Sequence, residues 1–140
     1  MELKTLRNCH GQYNLQYHLI LVTKYRKECI NEEIFQFLRG ESERLLKMSD
    51  SELIEMNYEP DHIHMLIEAP PQVQLSKLIN SYKSVTARLV RSKFDTQLSK
   101  FYWKPYFWNR SYLILSSGGA PIEVIKKYIQ NQKRDASITT

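Results

Sequence analysis

Tyr17 to Val22 (YHLILV) is apolar on both alternating faces, the signature of a strand buried on two sides. Asn31 stands where a helix wants its N-cap, and Ile34, Phe35, Leu38, Leu45 and Leu46 then recur at helical spacing. Gly40 weakens that helix without ending the pattern. Leu53 to Tyr58 alternates, with Leu53, Glu55 and Asn57 on one face and Ile54, Met56 and Tyr58 on the other, as a half-exposed strand does. Pro60-Asp61 turns the chain into a third strand, His62 to Ala69 (HIHMLIEA). Leu75 to Phe94 predicts a helix with an apolar stripe of Leu75, Leu78, Ile79, Tyr82, Val85 and Leu89. Lys77, Lys83, Arg88, Arg91 and Lys93 occupy its other sides. An aromatic loop leads to a fourth strand, Tyr112 to Ser116, which Gly118-Gly119 breaks. Pro121 suits the first position of a last helix, Pro121 to Arg134.

The resulting order is β-α-β-β-α-β followed by a helix, an α+β arrangement of the ferredoxin-like type. It predicts a four-stranded antiparallel sheet with two helices on one face, and it leaves the other face to the C-terminal helix. Residues 1–140 read as one domain. In the expected strand order 4-1-3-2, the second and fourth strands are edges. The second has Glu52, Glu55 and Asn57 to face water, but Tyr112-Leu113-Ile114-Leu115 carries no charge or proline. Such an edge invites pairing, and a second subunit joined strand to strand would cover it, giving a two-fold homodimer. The fold hosts many functions and selects none of them.

Composition narrows the partner. The chain has 20 Lys+Arg against 15 Asp+Glu, a net charge of +5, and a pI near 9.2. A basic domain suits a polyanion such as nucleic acid. Aromatic rings lie among the cations, in Lys24-Tyr25-Arg26-Lys27 and in Phe101-Tyr102-Trp103-Lys104-Pro105-Tyr106. Bases stack on such rings while cations hold phosphates; the same rings also serve as packing. No apolar run approaches the roughly 20 residues of a membrane helix, and Met1 to His10 lacks the apolar core of a signal peptide. Cys9 and Cys29 form no disulfide pattern, which fits a cytoplasmic protein with no membrane partner.

His62 and His64 are two apart in a strand, so both imidazoles point to one face, while Ile63, Met65 and Ile67 point under the helices. A lone histidine here reads as a structural residue; two on one face of a rigid strand form half of a metal site, and the pair is as readily packing as ligand. Tyr128 and Gln132 are four apart and share a face of the last helix, beside the stripe Ile122, Ile125 and Ile129. If that stripe packs on the sheet, both residues sit at its border within reach of the histidines. Two nitrogens and the Gln132 carbonyl oxygen form a set that suits Mg²⁺ or Mn²⁺ bridging to phosphate. Taken singly, Tyr128 also fits a partly buried ring, and Gln132 a solvated helix residue.

Pro60-Asp61-His62-Ile63-His64-Met65-Leu66 resembles the histidine–hydrophobe–histidine motif of HUH endonucleases. The chain resembles, over nearly its whole length, the small single-tyrosine transposases of bacterial and archaeal insertion sequences. Tyr17-His18, Lys24-Tyr25-Arg26, the tryptophan-bearing loop, Gly118-Gly119-Ala120-Pro121 and Tyr128-Ile129-Gln130-Asn131-Gln132 carry that likeness. The resemblance implies a divalent metal, Mg²⁺ or Mn²⁺, held by His62, His64 and Gln132. It implies attack by Tyr128 on single-stranded DNA, leaving a 5′-phosphotyrosine and a free 3′-hydroxyl that later rejoins a strand without ATP. It further implies DNA hairpins as the recognised ends, and a homodimer whose last helix can deliver Tyr128 to the partner's histidines, with Gly118-Gly119 as the hinge. Lys24, Arg26, Lys83, Arg88 and Arg91 are the candidate phosphate contacts. Two alternatives stand beside this reading: a domesticated relative acting on chromosomal palindromic repeats, and a single-stranded nucleic-acid-binding module on the same fold. The latter would need base-stacking rings on the central strands, and its glycine–aromatic signature is absent.

Overall fold

The computed structural model describes residues 6–8, 11–13, 15–116 and 122–132. Gly118-Gly119, Pro121, Cys9, Lys133 and Arg134 therefore lie outside the described residues. A hairpin that the alternation did not predict, β1 (Leu6–Asn8) and β2 (Gly11–Tyr13), precedes the main sheet. The elements β3 (Gln16–Val22), α1 (Glu32–Met48), β4 (Glu52–Glu59), β5 (His62–Glu68), α2 (Leu75–Lys93), α3 (Asp95–Leu98), β6 (Leu113–Ser116) and α4 (Ile122–Gln130) follow. Apart from the short α3, these reproduce the expected order, and the sheet runs β4-β5-β3-β6 with antiparallel neighbours throughout. This is the ferredoxin-like arrangement, with β4 and β6 at the edges.

Local chemistry accounts for the helices. Asn31 caps α1 by accepting from the Ile34 amide at 2.9 Å, with Glu32 and Glu33 in the first turn and Lys47 in the last, each sign matched to the helix dipole. Gly40 sits in the middle of α1 with nothing within 4 Å of where a Cβ would lie. On α2 the buried face is Ile79, Tyr82, Thr86 and Val90, so the stripe is rotated from the expected one; Val85 and Leu89 are only half-buried. Thr86 goes inside because its hydroxyl donates to the Tyr82 carbonyl at 2.7 Å and accepts from Trp108 Nε1 at 2.9 Å. Ser42 and Tyr82 link α1 to α2 at 2.6 Å.

The main core lies between the helices and one face of the sheet, where Leu19, Leu21, Ile63, Met65 and Ile67 are buried. Strand β4 departs from simple alternation. Leu53 pairs with Ile67 but Glu55 with Leu66, a bulge that passes over Ile54. The extra residue puts Leu53, Met56 and Tyr58 on the helix side and leaves Glu55 and Asn57 exposed. The opposite face of the sheet carries a second, smaller cluster. Ile20 and Val22 of β3 pack there with Ile125, flanked by Leu113, Leu115, Tyr128 and Ile129. The last helix therefore covers the open face, as expected. It is shorter than expected, ending at Gln130, so Gln132 lies just beyond it.

Candidate functional site

The alternation of β5 sets His62 and His64 on the open face, opposite Val22 and Ile20 of β3. The pair is contacted from two sides. Asp61, in the two-residue turn before the strand, accepts from His62 Nδ1 through Oδ1 at 2.8 Å. Its other oxygen, Oδ2, accepts from Arg26 Nε at 3.3 Å. His18 of β3 lies diagonally across from His64, its Nδ1 2.8 Å from His64 Nε2, with one imidazole donating to the other. Burial lowers the His64 pKa, and the neighbouring His18 and His62 lower it further against the opposing pull of Glu55, so the ring is neutral near pH 7.

Tyr128 and Gln132 come from the other flank of α4. The Tyr128 hydroxyl is 2.8 Å from Ser111 Oγ. The Gln132 carbonyl oxygen accepts from Asn109 Nδ2 and from Ser111 Oγ, the latter at 3.2 Å, while its amide donates to the Tyr128 carbonyl at 3.1 Å. That last bond satisfies a helix-end carbonyl. Burial raises the Tyr128 pKa, and the Ser111 hydrogen bond partly offsets it. The expected reach from Tyr128 and Gln132 to the histidines is not made within this chain. Among the described residues neither hydrogen-bonds to His62 or His64. The register gives the reason. Asn109, the partner of Gln132, bonds the Val22 carbonyl and Val22 pairs with His62, so β3 lies between Asn109 and His62 and sets those two backbones two strand spacings, about 10 Å, apart. The i, i+4 spacing puts Tyr128 and Gln132 together but does not say which flank of the helix they take. The flank facing His62 carries Lys126, Ile129 and Gln130, which close a cleft with Arg26, Glu28, Glu59, Pro60 and Asp61.

The donor chemistry fits a divalent cation. With His62 Nδ1 tied to a carboxylate, its Nε2 lone pair is left for a ligand, and His64 is a neutral imidazole. Ligation through His64 Nε2 would replace its bond to His18. Among the described residues no group of three or more His, Cys, Asp and Glu is assembled that could hold a metal.

The basic candidates divide. Lys24, Lys83 and Arg91 line one cleft with Arg110, Asn80, Tyr106 and Trp108, between α2 and the aromatic loop. Lys83 already donates to the Arg110 carbonyl at 2.6 Å, and burial lowers its pKa. Arg88 is exposed on another side of α2, and Arg26 belongs to the histidine cleft. Of the loop rings, Tyr102, Phe107 and Trp108 are core, whereas Trp103 is 83% exposed, with Lys104 Nζ 4.6 Å from its centroid. The open face of β3 and β5 carries no Phe, Tyr or Trp from its own strands, because His18, Ile20, Val22, His62, His64 and Leu66 occupy it and α4 covers part of it. His18, Asp61, Asn109 and Ser111 were not singled out as site residues in the sequence. Asp61 adjoins the histidine motif and His18 the first strand, so adjacency was a signal for both; Asn109 and Ser111 had none.

The family described as IS200-like transposase matches residues 11–132. The chain is 32% identical over 120 residues to the ISDra2 transposase TnpA of Deinococcus radiodurans, covering 86% of this chain and 85% of that one. It is 27% identical over 123 residues to the transposase for insertion sequence element IS200 of Salmonella typhimurium, covering 88% and 80%. A solved Deinococcus radiodurans R1 structure assigned as a transposase superposes with a TM-score of 0.84 at 29% identity, over 93% of this chain and 99% of that one. A REP-associated tyrosine transposase bound to a REP hairpin shares the fold at a TM-score of 0.54 and 10% identity, over 93% and 70%.

Proposed function

The chain belongs to the family of IS200-like transposases, and from that membership we propose that it cuts and rejoins single-stranded DNA at insertion-sequence ends with Tyr128 as nucleophile. A transposase is a DNA-cleaving enzyme, and the finer reading rests on one observation: His62 and His64 share the sheet face over which the Tyr128-bearing helix packs.

In this reading the Tyr128 oxygen bonds to the scissile phosphorus in line with the departing 3′ oxygen. The phenol gives up its proton, the 3′ oxygen gains one, and a 5′-phosphotyrosine remains. The ester keeps the bond energy for rejoining. His62, His64 and Gln132 would hold Mg²⁺ or Mn²⁺, which when bound would draw charge from the nonbridging phosphate oxygens. A phenol is protonated near pH 7 and burial raises the Tyr128 pKa further, so Tyr128 must be deprotonated as it attacks. Lys24, Lys83, Arg91 and Arg110 would hold backbone phosphates of a hairpin, of the kind bound by the REP-associated relative.

Tyr128 and Gln132 hang on the β6 flank of α4, and β6 is an edge strand. We read this as a homodimer joined through β6, in which each tyrosine serves the partner's histidines. Metal-dependent nicking of a hairpin-bearing single strand, with perfect duplex left intact, tests the activity; equal cutting of both substrates would contradict it. Mixing Tyr128→Phe with His64→Ala chains tests the sharing. Cleavage should return in the mixture, and a mixture as dead as its parts would contradict shared sites.

A further inference from the structure

We propose that Arg26 and Asp61 are positioning residues of the histidine pair, forming a guanidinium–carboxylate–imidazole relay that fixes His62 in the tautomer whose Nε2 is open to a divalent cation. The inference rests on the reading of His62 as a ligand. A carboxylate can only accept, so the 2.8 Å contact between Asp61 Oδ1 and His62 Nδ1 puts the ring proton on Nδ1 and the lone pair on Nε2. Arg26 Nε donates to the second Asp61 oxygen, at 3.3 Å, which turns the carboxylate toward the ring. The three side chains are withdrawn from water, at 15% exposure for Arg26, 11% for Asp61 and 17% for His62.

The backbone that delivers Arg26 is strained for this purpose. Tyr25 and Arg26 have φ of 59° and 52°, two consecutive left-handed residues that are not glycine. Such a residue persists only where its surroundings enforce it. The enforcement is present. Thr23 is fully buried, its amide donating to the Asp61 carbonyl at 3.0 Å and its hydroxyl to the Lys27 carbonyl at 2.7 Å. Tyr102 donates to the Lys24 carbonyl at 2.7 Å. The turn is thereby tied at Thr23 to Asp61 and to Lys27 across the turn, and at Lys24 to the aromatic loop. Arg26, a phosphate candidate by its charge, is spent on Asp61 instead. A hydrogen-bonded carboxylate behind a ligating imidazole fixes its orientation and raises its basicity.

The test uses the full chain. Without metal, long-range ¹H–¹⁵N spectra report which ring nitrogen of His62 is protonated, and calorimetric titration with Mn²⁺ reports affinity. The wild-type chain should carry the proton on Nδ1. Asp61→Ala should shift His62 toward the Nε2–H form and weaken Mn²⁺ binding by about 10–100-fold. Arg26→Ala should do the same to a smaller degree, and Asp61→Asn, which still accepts from Nδ1, should restore most of the tautomer bias; these two variants carry the test if the alanine at 61 does not fold. Unchanged His62 tautomer and Mn²⁺ affinity in Asp61→Ala, or in Arg26→Ala if the alanine at 61 does not fold, would overturn the relay. So would an Arg26→Ala chain that loses only single-stranded DNA affinity, because Arg26 would then be a phosphate contact. His62→Ala separates the two levels of the argument: if it binds Mn²⁺ as the wild type does, the ligand reading itself falls and takes the relay's role with it.

Discussion

The hydroxyl of Tyr128 lies 2.8 Å from that of Ser111, on the side of α4 turned away from His62. On ionisation of Tyr128, Ser111 can turn its one proton from the Gln132 carbonyl oxygen to the phenolate and stabilise it, against the burial that raises the Tyr128 pKa. Ser111→Ala should therefore move the Tyr128 titration further up, so that a smaller fraction is ionised at any given pH. ¹³Cζ NMR of labelled tyrosine reads this directly, and a downward or absent shift would remove Ser111 as its partner.

Among the described residues of α4, Ile125 is the buried one, set on Ile20 and Val22 in a cluster separate from the main core. Ile125→Ala should remove roughly 2–4 kcal/mol of local packing. Hydrogen exchange of the α4 amides should then quicken by about tenfold or more while β3 and β5 keep their protection. Equal acceleration throughout would mean that the helix unfolds only with the rest of the domain.

Gly40 lies exposed in the middle of α1 with room for a methyl group. Gly40→Ala should stabilise the chain by about 0.5–1 kcal/mol, because alanine loses less backbone freedom on folding. Urea denaturation checks it, and a loss of stability would point to a neighbour not evident in the structure.

What could be read in advance was whatever depends on local spacing. Asn31 as a cap, the paired faces of β5 and the covering of the open face by Ile125 all follow from periods of 3.6 and 2. The bulge past Ile54 escaped because one inserted residue reverses faces without any change in composition. Thr86 replaced the expected Val85 in the core because its partner, Trp108, is 22 residues away. Arg26 reads from the sequence as a candidate phosphate contact because its carboxylate, Asp61, lies 35 residues further along the chain. The azimuth of Tyr128 was hidden for the same reason: the docking angle of α4 is set by β3 and β6, and the helix sequence does not encode it.

The central claim is that Tyr128 forms the covalent bond to DNA. It is tested by incubating the chain with a hairpin-bearing single-stranded oligonucleotide and Mn²⁺, isolating the protein–DNA adduct and mapping the modified peptide by mass. The account predicts a nucleotide linked through phosphate to Tyr128, and no adduct from Tyr128→Phe even though that variant still binds the oligonucleotide. An adduct on any other residue, or a normal adduct yield from Tyr128→Phe, would contradict it.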